Sequence, residues 1–266
     1  MRYQKGSIGL ANPKDKAILN FVADSIYVTH WQLYAFLMLD QSEGNKRVFN
    51  WRIRRLVRRG LVRKQVLPFL NGHALYSITR AGIQALEQLG VYFLGANLDR
   101  ERDAREAEIP HALEVNYIRL ALLCTGSLRQ WIPEPFIRIL NLSPSASYAK
   151  VYDGIARVHL AAESVSFAIE YERTLKSQAK YDKVFDAIES EERLQGFFYF
   201  VPTHDLVWSL IDEFRRTRRL VFFGLVDALK QKLFDAEVRT VNQIAMSLRE
   251  ALLRVIALEK SKRQRA

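Results

Sequence analysis

The chain has 266 residues, 49% of them hydrophobic and 11% aromatic, with a formal net charge of +11. That is enough apolar material for one large or two ordinary cores, and it excludes an intrinsically disordered protein. A single cysteine, Cys124, excludes a disulfide framework and a cysteine-based zinc site; in the apolar run IRLALLC it reads as a buried thiol suited to a reducing compartment.

No run approaches the ~18–20 apolar residues that span a bilayer, and the first residues, MRYQKGSIGLANPKDKA, lack the apolar core of a signal peptide. A cytoplasmic protein without a membrane partner is expected. The charge is uneven. Residues 1–98 hold 14 Lys/Arg against 5 Asp/Glu, residues 99–109 hold 3 against 5, and residues 110–266 hold 23 against 19. This concentration predicts a localised polyanion site in the N-terminal third.

Residues 1–13 read as a loose arm. Lys14–Tyr27 has the spacing of a short amphipathic helix with Ile18, Phe21, Val22 and Ile26 inward. Thr29 is a natural N-cap for a second helix, His30–Leu39, whose apolar positions are Trp31, Tyr34, Leu37 and Met38. Asp40–Asn45 is the turn, with Gly44 as breaker. In Lys46–Arg59, seven of fourteen residues are Lys or Arg and none is acidic. On a helix, Phe49, Ile53, Leu56 and Val57 share one side and Arg47, Trp51, Arg54, Arg55 and Arg58 the other. Gly60 ends it. Two apolar runs, Leu61–Leu67 and Ala74–Thr79, join across Pro68–His73 with Asn71-Gly72 as the turn signal. A closing helix, Ile83–Leu89, stops at Gly90. A basic helix followed by a hairpin is the arrangement of a winged helix-turn-helix.

Such a helix is expected to enter the major groove of duplex DNA, more readily than to bind the splayed bases of RNA. Lys46, Arg47, Asn50, Trp51 and Arg54 lie toward its N-terminal half, where Asn pairs bidentately with adenine and Arg with guanine. Trp51 has an alternative place, packed under the hairpin. Arg55, Arg58 and Arg59 are expected on phosphates, and Arg63, Lys64 and His73 of the hairpin on the flanking backbone or minor groove. No cofactor is needed for this binding.

Val91–Ala96 is a short apolar segment, and Leu98–Glu108 (LDRERDAREAE) interleaves both signs, as a linker or a solvated helix does. The expected division is a DNA-binding domain over residues 1–97, a charged linker over 98–109, an α/β domain over 110–237, and a C-terminal helix with basic tail over 238–266. Within the second part, His111–Cys124 reads as a largely buried helix through Leu113, Val115, Ile118, Leu120 and Leu122. Gln130–Leu140 reads as a strand interrupted by prolines, and Asn141–Ala149 as a polar loop. Lys150–Leu160 and Val165–Arg173 read as paired strands turning near Ala162–Ser164. Ser177–Gln195 is a helix with Tyr181, Val184, Phe185 and Ile188 inward, and Pro202–Arg216 another. Between and after them GFFYFV (Gly196–Val201) and LVFFGL (Leu220–Leu225) are apolar throughout, as buried central strands are. Val238–Leu258 reads as one long helix, followed by Lys260, Lys262, Arg263 and Arg265. The order α-β-β-β-α-β-α-β predicts a mixed α/β domain.

Asp153 falls early on one of the paired strands, and Glu170 and Glu172 late on the other. Period two puts both glutamates on one face. Carboxylates converging from neighbouring strands make an oxygen site for Mg²⁺ or Mn²⁺, which can activate water. The structural alternative is that Asp153-Gly154 is a turn and the glutamates pair with Arg157, Arg173 or Lys180, while Lys176, Lys180 and Lys183 form a solvated stripe. His30, His159 and His204 lack metal-ligand spacing, and His111 reads as a helix-start residue. No phosphate-loop motif is present, so nothing supports ATP hydrolysis.

A strand with Asp, a hairpin, a strand with Glu-x-Glu, then a helix and a strand resembles the core of the PD-(D/E)xK nuclease superfamily, a restriction-endonuclease-like α/β fold. Together with the preceding winged helix, and with EYERT followed by KY, the chain resembles the replication-relaxation family of plasmids and other mobile elements. The resemblance implies that Asp153 and Glu170 are the motif's two acids. It expects lysine where Glu172 stands; Lys176 or Lys180 would have to take that place. It therefore implies a duplex-DNA-binding protein of replication, mobilisation or transcription control with a degenerate nuclease-like domain. Two alternatives stay open: a Mg²⁺- or Mn²⁺-dependent nuclease or nickase using Asp153, Glu170 and Glu172, and a scaffold whose C-terminal helix docks a relaxase or replication protein or a second copy of the chain.

Overall fold

The structure, a computed structural model, describes residues 13–91, 106–160 and 162–263. The chain divides into two compact units, Met1–Asn116 and Tyr117–Ala266.

In the first unit, α1 (Pro13–Asp24), α2 (His30–Leu39) and α3 (Lys46–Arg58) precede β2 (Val62–Val66), β3 (Ala74–Ile78) and α4 (Arg80–Gln88). A two-residue strand that the sequence did not suggest, β1 (Val28–Thr29), pairs antiparallel with β3, giving the sheet order β1-β3-β2. Thr29 therefore has two tasks: it pairs with Leu75 and caps α2. Its hydroxyl accepts from the Gln32 N–H, while the Gln32 side chain accepts from the Thr29 N–H, a complete capping box. The hairpin turn holds Asn71 at φ 51° and Gly72 at φ 78°, the left-handed region that Asn and Gly tolerate.

One expectation is corrected here. On α2 the buried residues are Gln32, Leu33, Phe36 and Leu37, whereas Trp31 and Met38 are exposed. Apolar residues surround this helix, so periodicity does not select a face; tertiary packing does. The division of the chain falls inside α5 (Ile109–Cys124), beyond the charged segment expected to be the boundary. The start of α5 belongs to the first unit: Ile109 and Ala112 pack with Tyr27 and Leu75. Gln32, fully buried, donates to the Leu113 carbonyl at 2.9 Å, and Asn116 donates to the Tyr27 carbonyl at 2.7 Å. The expected arm, the segment 92–96 and most of the linker lie outside the described residues, as do Arg265 and the side chains of Lys262 and Arg263.

The second unit is built on a seven-stranded sheet. Its strands are β4 (Leu128–Pro133), β5 (Gly154–Leu160), β6 (Glu163–Tyr171), β7 (Gly196–Val201), β8 (Leu220–Leu225), β9 (Glu237–Thr240) and β10 (Ala245–Ser247), in the order β10-β9-β8-β7-β6-β5-β4. The central strands β6, β7 and β8 are parallel and the flanking pairs antiparallel. Parallel neighbours need crossovers, supplied by α7 (Gln178–Ser190) and α8 (His204–Glu213). One face of the sheet, with Ile155, Ala168, Tyr199 and Phe223, packs against Tyr181, Ile188, Leu210 and Phe214 of the α7–α8 layer. Through successive strands, Phe167 meets Phe198 edge-on and Phe198 stacks on Phe222, with ring centroids 4.9 and 4.8 Å apart. The unit as a whole is mixed α and β, as expected.

Two local readings in this unit were wrong. Gln130–Leu140 is not one interrupted strand: β4 ends at Pro133, and Glu134-Pro135 opens a short helix, α6 (Glu134–Leu140), because proline is tolerated in a first helical turn. Val238–Leu258 is not one helix: β9 and β10 form a hairpin on the sheet edge, and only Leu248–Arg263 is helical (α10), after a short α9 (Val226–Lys232). Backbone pairing with β8 overrides the local helical pattern. On α10, Leu248, Ala251, Leu252 and Val255 are buried and the helix is laid against β6, while Leu253 and Leu258 stay exposed; the long helix that motivated the scaffold reading is thus shorter than expected. Cys124 also departs from expectation. It ends α5 exposed, although the burial it retains raises its thiol pKa. Among the described residues no helix is long and apolar enough to cross a membrane.

Candidate nucleic-acid interface

Asn45 sets the start of α3. Its side chain accepts from the N–H groups of Arg47 and Val48 at 3.0 and 3.2 Å, satisfying two of the helix's orphan donors. Phe49, Ile53 and Leu56 are buried as expected and Val57 is half-buried. The sequence pattern missed Arg52, which is also buried. Its guanidinium donates to Asp15 of α1 at 2.9 Å and lies 3.4 Å from Glu43. Lys14 stands 3.4 Å from the other Glu43 oxygen. Asp15 is wholly shielded from solvent and also receives Arg55.

This network sorts the cations of α3. Arg52 and Arg55 are structural: they neutralise two buried acids and fasten α3 to α1 and to the turn before it. Arg55, expected on a phosphate, is held against Asp15, with its guanidinium 4.5 Å from the centre of the Trp51 ring. Trp51 is half exposed, so it is not packed under the hairpin. Lys46, Arg47, Arg54, Arg58 and Arg59 are exposed. Across the groove from α3, the hairpin contributes exposed Lys64 and half-exposed Arg63, with His73 exposed near its turn.

Two adjoining grooves follow from this layout. One runs along α3 between Arg47, Trp51, Arg54 and Arg58, and encloses about 400 Å³. The other, about 370 Å³, lies between α3 and the hairpin, with Asn50, Arg54 and Arg58 on one side and Lys64 and Tyr76 on the other. His30 also lines it. Asn50 is half-buried there, its amide oxygen 2.9 Å from His30 Nε2. His30 is lowered from its ordinary pKa, first by burial and then by Lys46, Lys64 and Arg54, against a raising contribution from the Asn50 hydrogen bond. The groove thus gathers fixed positive charge around a neutral imidazole, a suitable surface for a phosphate backbone.

In the second unit, strand register sets Asp153 next to Glu170, through the pairing of Gly154 with Ile169, and Glu172 follows just past the end of β6. Asp153 accepts from the Tyr171 N–H at 2.7 Å. Glu170 is buried against an ammonium from Lys150, and Glu172 against that of Lys176. Burial is the main cause that pushes the Glu170 carboxyl up to about 7; Asp153 adds to it and Lys150 opposes it. Burial also works against the Lys176 ammonium, but Glu172, Glu170 and Asp153 outweigh it and hold its pKa above the ordinary value. The hydroxyl of buried Tyr199, on β7 beside Glu170, has no hydrogen-bond partner among the described residues. Lys180 is exposed on α7. Lys176, expected in a solvated stripe, holds Glu172, and Lys150, which the sequence reading missed, holds Glu170. Lys150 precedes β5 in an irregular segment, and only that segment's path carries it to Glu170. Glu191 pins the path by accepting from the Ala149 N–H at 2.9 Å and the Tyr152 hydroxyl at 3.2 Å.

The fit to a divalent cation is poor. Among the described residues no group of three or more His, Cys, Asp or Glu side chains is arranged to hold a metal ion. Both glutamates face ammonium groups, which a metal would have to displace. Comparison with family models, with curated proteins and with solved structures finds no match.

Proposed function

We propose that this chain binds duplex DNA through the exposed face of α3 and the β2–β3 hairpin, used as a winged helix-turn-helix. The chain's resemblance to the replication-relaxation family extends this reading to the replication, mobilisation or transcription control of a plasmid or mobile element, with the α/β unit as a degenerate nuclease-like domain. One observation carries it: buried acids claim Arg52 and Arg55, while Lys46, Arg47, Arg54, Arg58 and Lys64 are left exposed around grooves that also present Asn50. Fluorescence anisotropy with a labelled duplex of mixed sequence, over a range of salt, tests it. Wild-type affinity should fall steeply with salt. Arg54→Ala combined with Arg58→Ala should reduce the magnitude of the log–log salt slope by about 2 and weaken binding by about tenfold or more. Unchanged binding by the double variant refutes the interface.

The second reading is a metal-dependent nuclease or nickase, favoured by the convergence of Asp153 and Glu170 beside Glu172. Mg²⁺ or Mn²⁺ would supply water activation and leaving-group stabilisation. The paired lysines argue against the ion in this arrangement, and we derive no step through it. Nicking of supercoiled plasmid with Mg²⁺ or Mn²⁺ that disappears in Asp153→Ala would establish the activity. No cleavage, or equal cleavage by the variant, removes it.

A further inference from the structure

His30 lines the groove between α3 and the hairpin, half-buried within the proposed DNA surface. The Thr29–Gln32 capping box sets its backbone, and its ring lies against Phe49 and Tyr76, with centroids 4.8 and 5.9 Å away. Both ring nitrogens are used: Nδ1 is 3.0 Å from the Tyr76 hydroxyl and Nε2 is 2.9 Å from the Asn50 amide oxygen. An amide oxygen only accepts, so Nε2 must carry the proton, and in the neutral ring Nδ1 accepts from the Tyr76 O–H. The relay runs from Tyr76 through His30 to Asn50 and crosses from β3 to α2 to α3.

We propose that His30 and Tyr76 are positioning residues that set Asn50 as a hydrogen-bond donor toward DNA. This rests on the DNA-binding reading above and deepens it. With its oxygen engaged by His30, Asn50 offers its two N–H groups, which suit acceptors: N7 and O6 of guanine, O4 of thymine, or a phosphate oxygen. The bidentate adenine pairing expected from an exposed Asn would have to share the oxygen that His30 already engages through one of its two lone pairs.

The same geometry couples binding to proton uptake. The groups facing His30 are Lys46 and Arg54 from α3, Lys64 from β2 and Tyr76 from β3. The three cations oppose a charged ring, and arriving phosphates neutralise them. The bridge survives protonation, because the imidazolium donates from Nδ1 to the Tyr76 oxygen and from Nε2 to Asn50. The pKa in the complex therefore lies above that of the free protein, which is itself below the ordinary 6.5. The sign follows: the gain in affinity is fully present below the free-protein pKa and is lost as pH rises through the value in the complex.

The test measures affinity for a mixed-sequence duplex by anisotropy, at fixed salt from about pH 5 to pH 8, for wild type, His30→Gln and His30→Ala. Circular dichroism establishes that each variant is folded. Wild-type affinity should rise as pH falls, with a slope of at most about tenfold per pH unit for one proton. Both variants should lose that slope. At high pH His30→Gln, which keeps a neutral N–H donor for Asn50, should bind more tightly than His30→Ala. Calorimetry in buffers of different ionisation enthalpy should find proton uptake for wild type and none for either variant. A flat wild-type profile, or the same slope in all three proteins, overturns the role of His30 while DNA binding stands. Absence of binding by wild type at any salt refutes the DNA reading, and this inference with it.

Discussion

Asp15 holds two guanidinium groups while itself wholly out of contact with solvent. The Asp15→Ala substitution would leave Arg52 buried without its closest acid. Breaking a buried pair from one side costs about 3–5 kcal/mol, and urea denaturation should find a loss of that order. Arg55→Ala, for the same reason, should lower stability more than it lowers DNA affinity, the reverse of Arg54→Ala. Glu170 sets a second prediction at this scale. Its folded pKa, about 7, is raised above the ordinary 4.5. A group shifted this way contributes stability that is fully present below about 4.5 and is lost as pH rises toward about 7. In denaturant melts the second unit should weaken across that window, at up to about 1.4 kcal/mol per pH unit, and Glu170→Gln should flatten the dependence.

Helix ends and close approaches decide events at the scale of elements. Asn45 caps α3 by accepting from two of its N–H groups, so Asn45→Ala should cost about 0.5–2 kcal/mol, read as a lower melting temperature; because α3 also presents the proposed DNA-binding face, affinity should fall with it. On β7, a Cβ at Gly196 would stand 2.7 Å from a methyl of Val255 on α10. Gly196→Ala is expected to push α10 from the sheet and cost about 1–3 kcal/mol by overpacking, and Val255→Ala in the same protein should recover part of that loss. The parallel core strands were readable because they are apolar throughout. β9 and β10 were not, because short edge strands carry little periodicity and are defined by the neighbour that pairs with them.

For the whole molecule, the division inside α5 has a measurable consequence. A fragment ending at residue 97 lacks Ile109, Ala112, the Leu113 carbonyl and Asn116, and so leaves Gln32 and the Tyr27 carbonyl without their buried partners. Each orphaned buried polar group costs about 1–3 kcal/mol. That fragment should denature at markedly lower urea than one ending at residue 124; equal midpoints would show that the start of α5 contributes nothing to the first unit.

Local chemistry alone determined α2 and its Thr29 cap, the basic α3, the Asn71-Gly72 hairpin turn and the apolar strands β7 and β8. Each of these rests on contacts within a few residues or on full burial, both of which leave a pattern in the chain. Tertiary structure decided which face of α2 is buried, that Arg52 and Arg55 serve Asp15, that His30 holds Asn50, and that Lys150 and Lys176 hold Glu170 and Glu172. Ion pairs and hydrogen bonds between distant residues have no period. Among the seven cations of Lys46–Arg59, sequence could count the charge on α3, but only packing against α1 separated the arginines that hold the fold from those left facing outward.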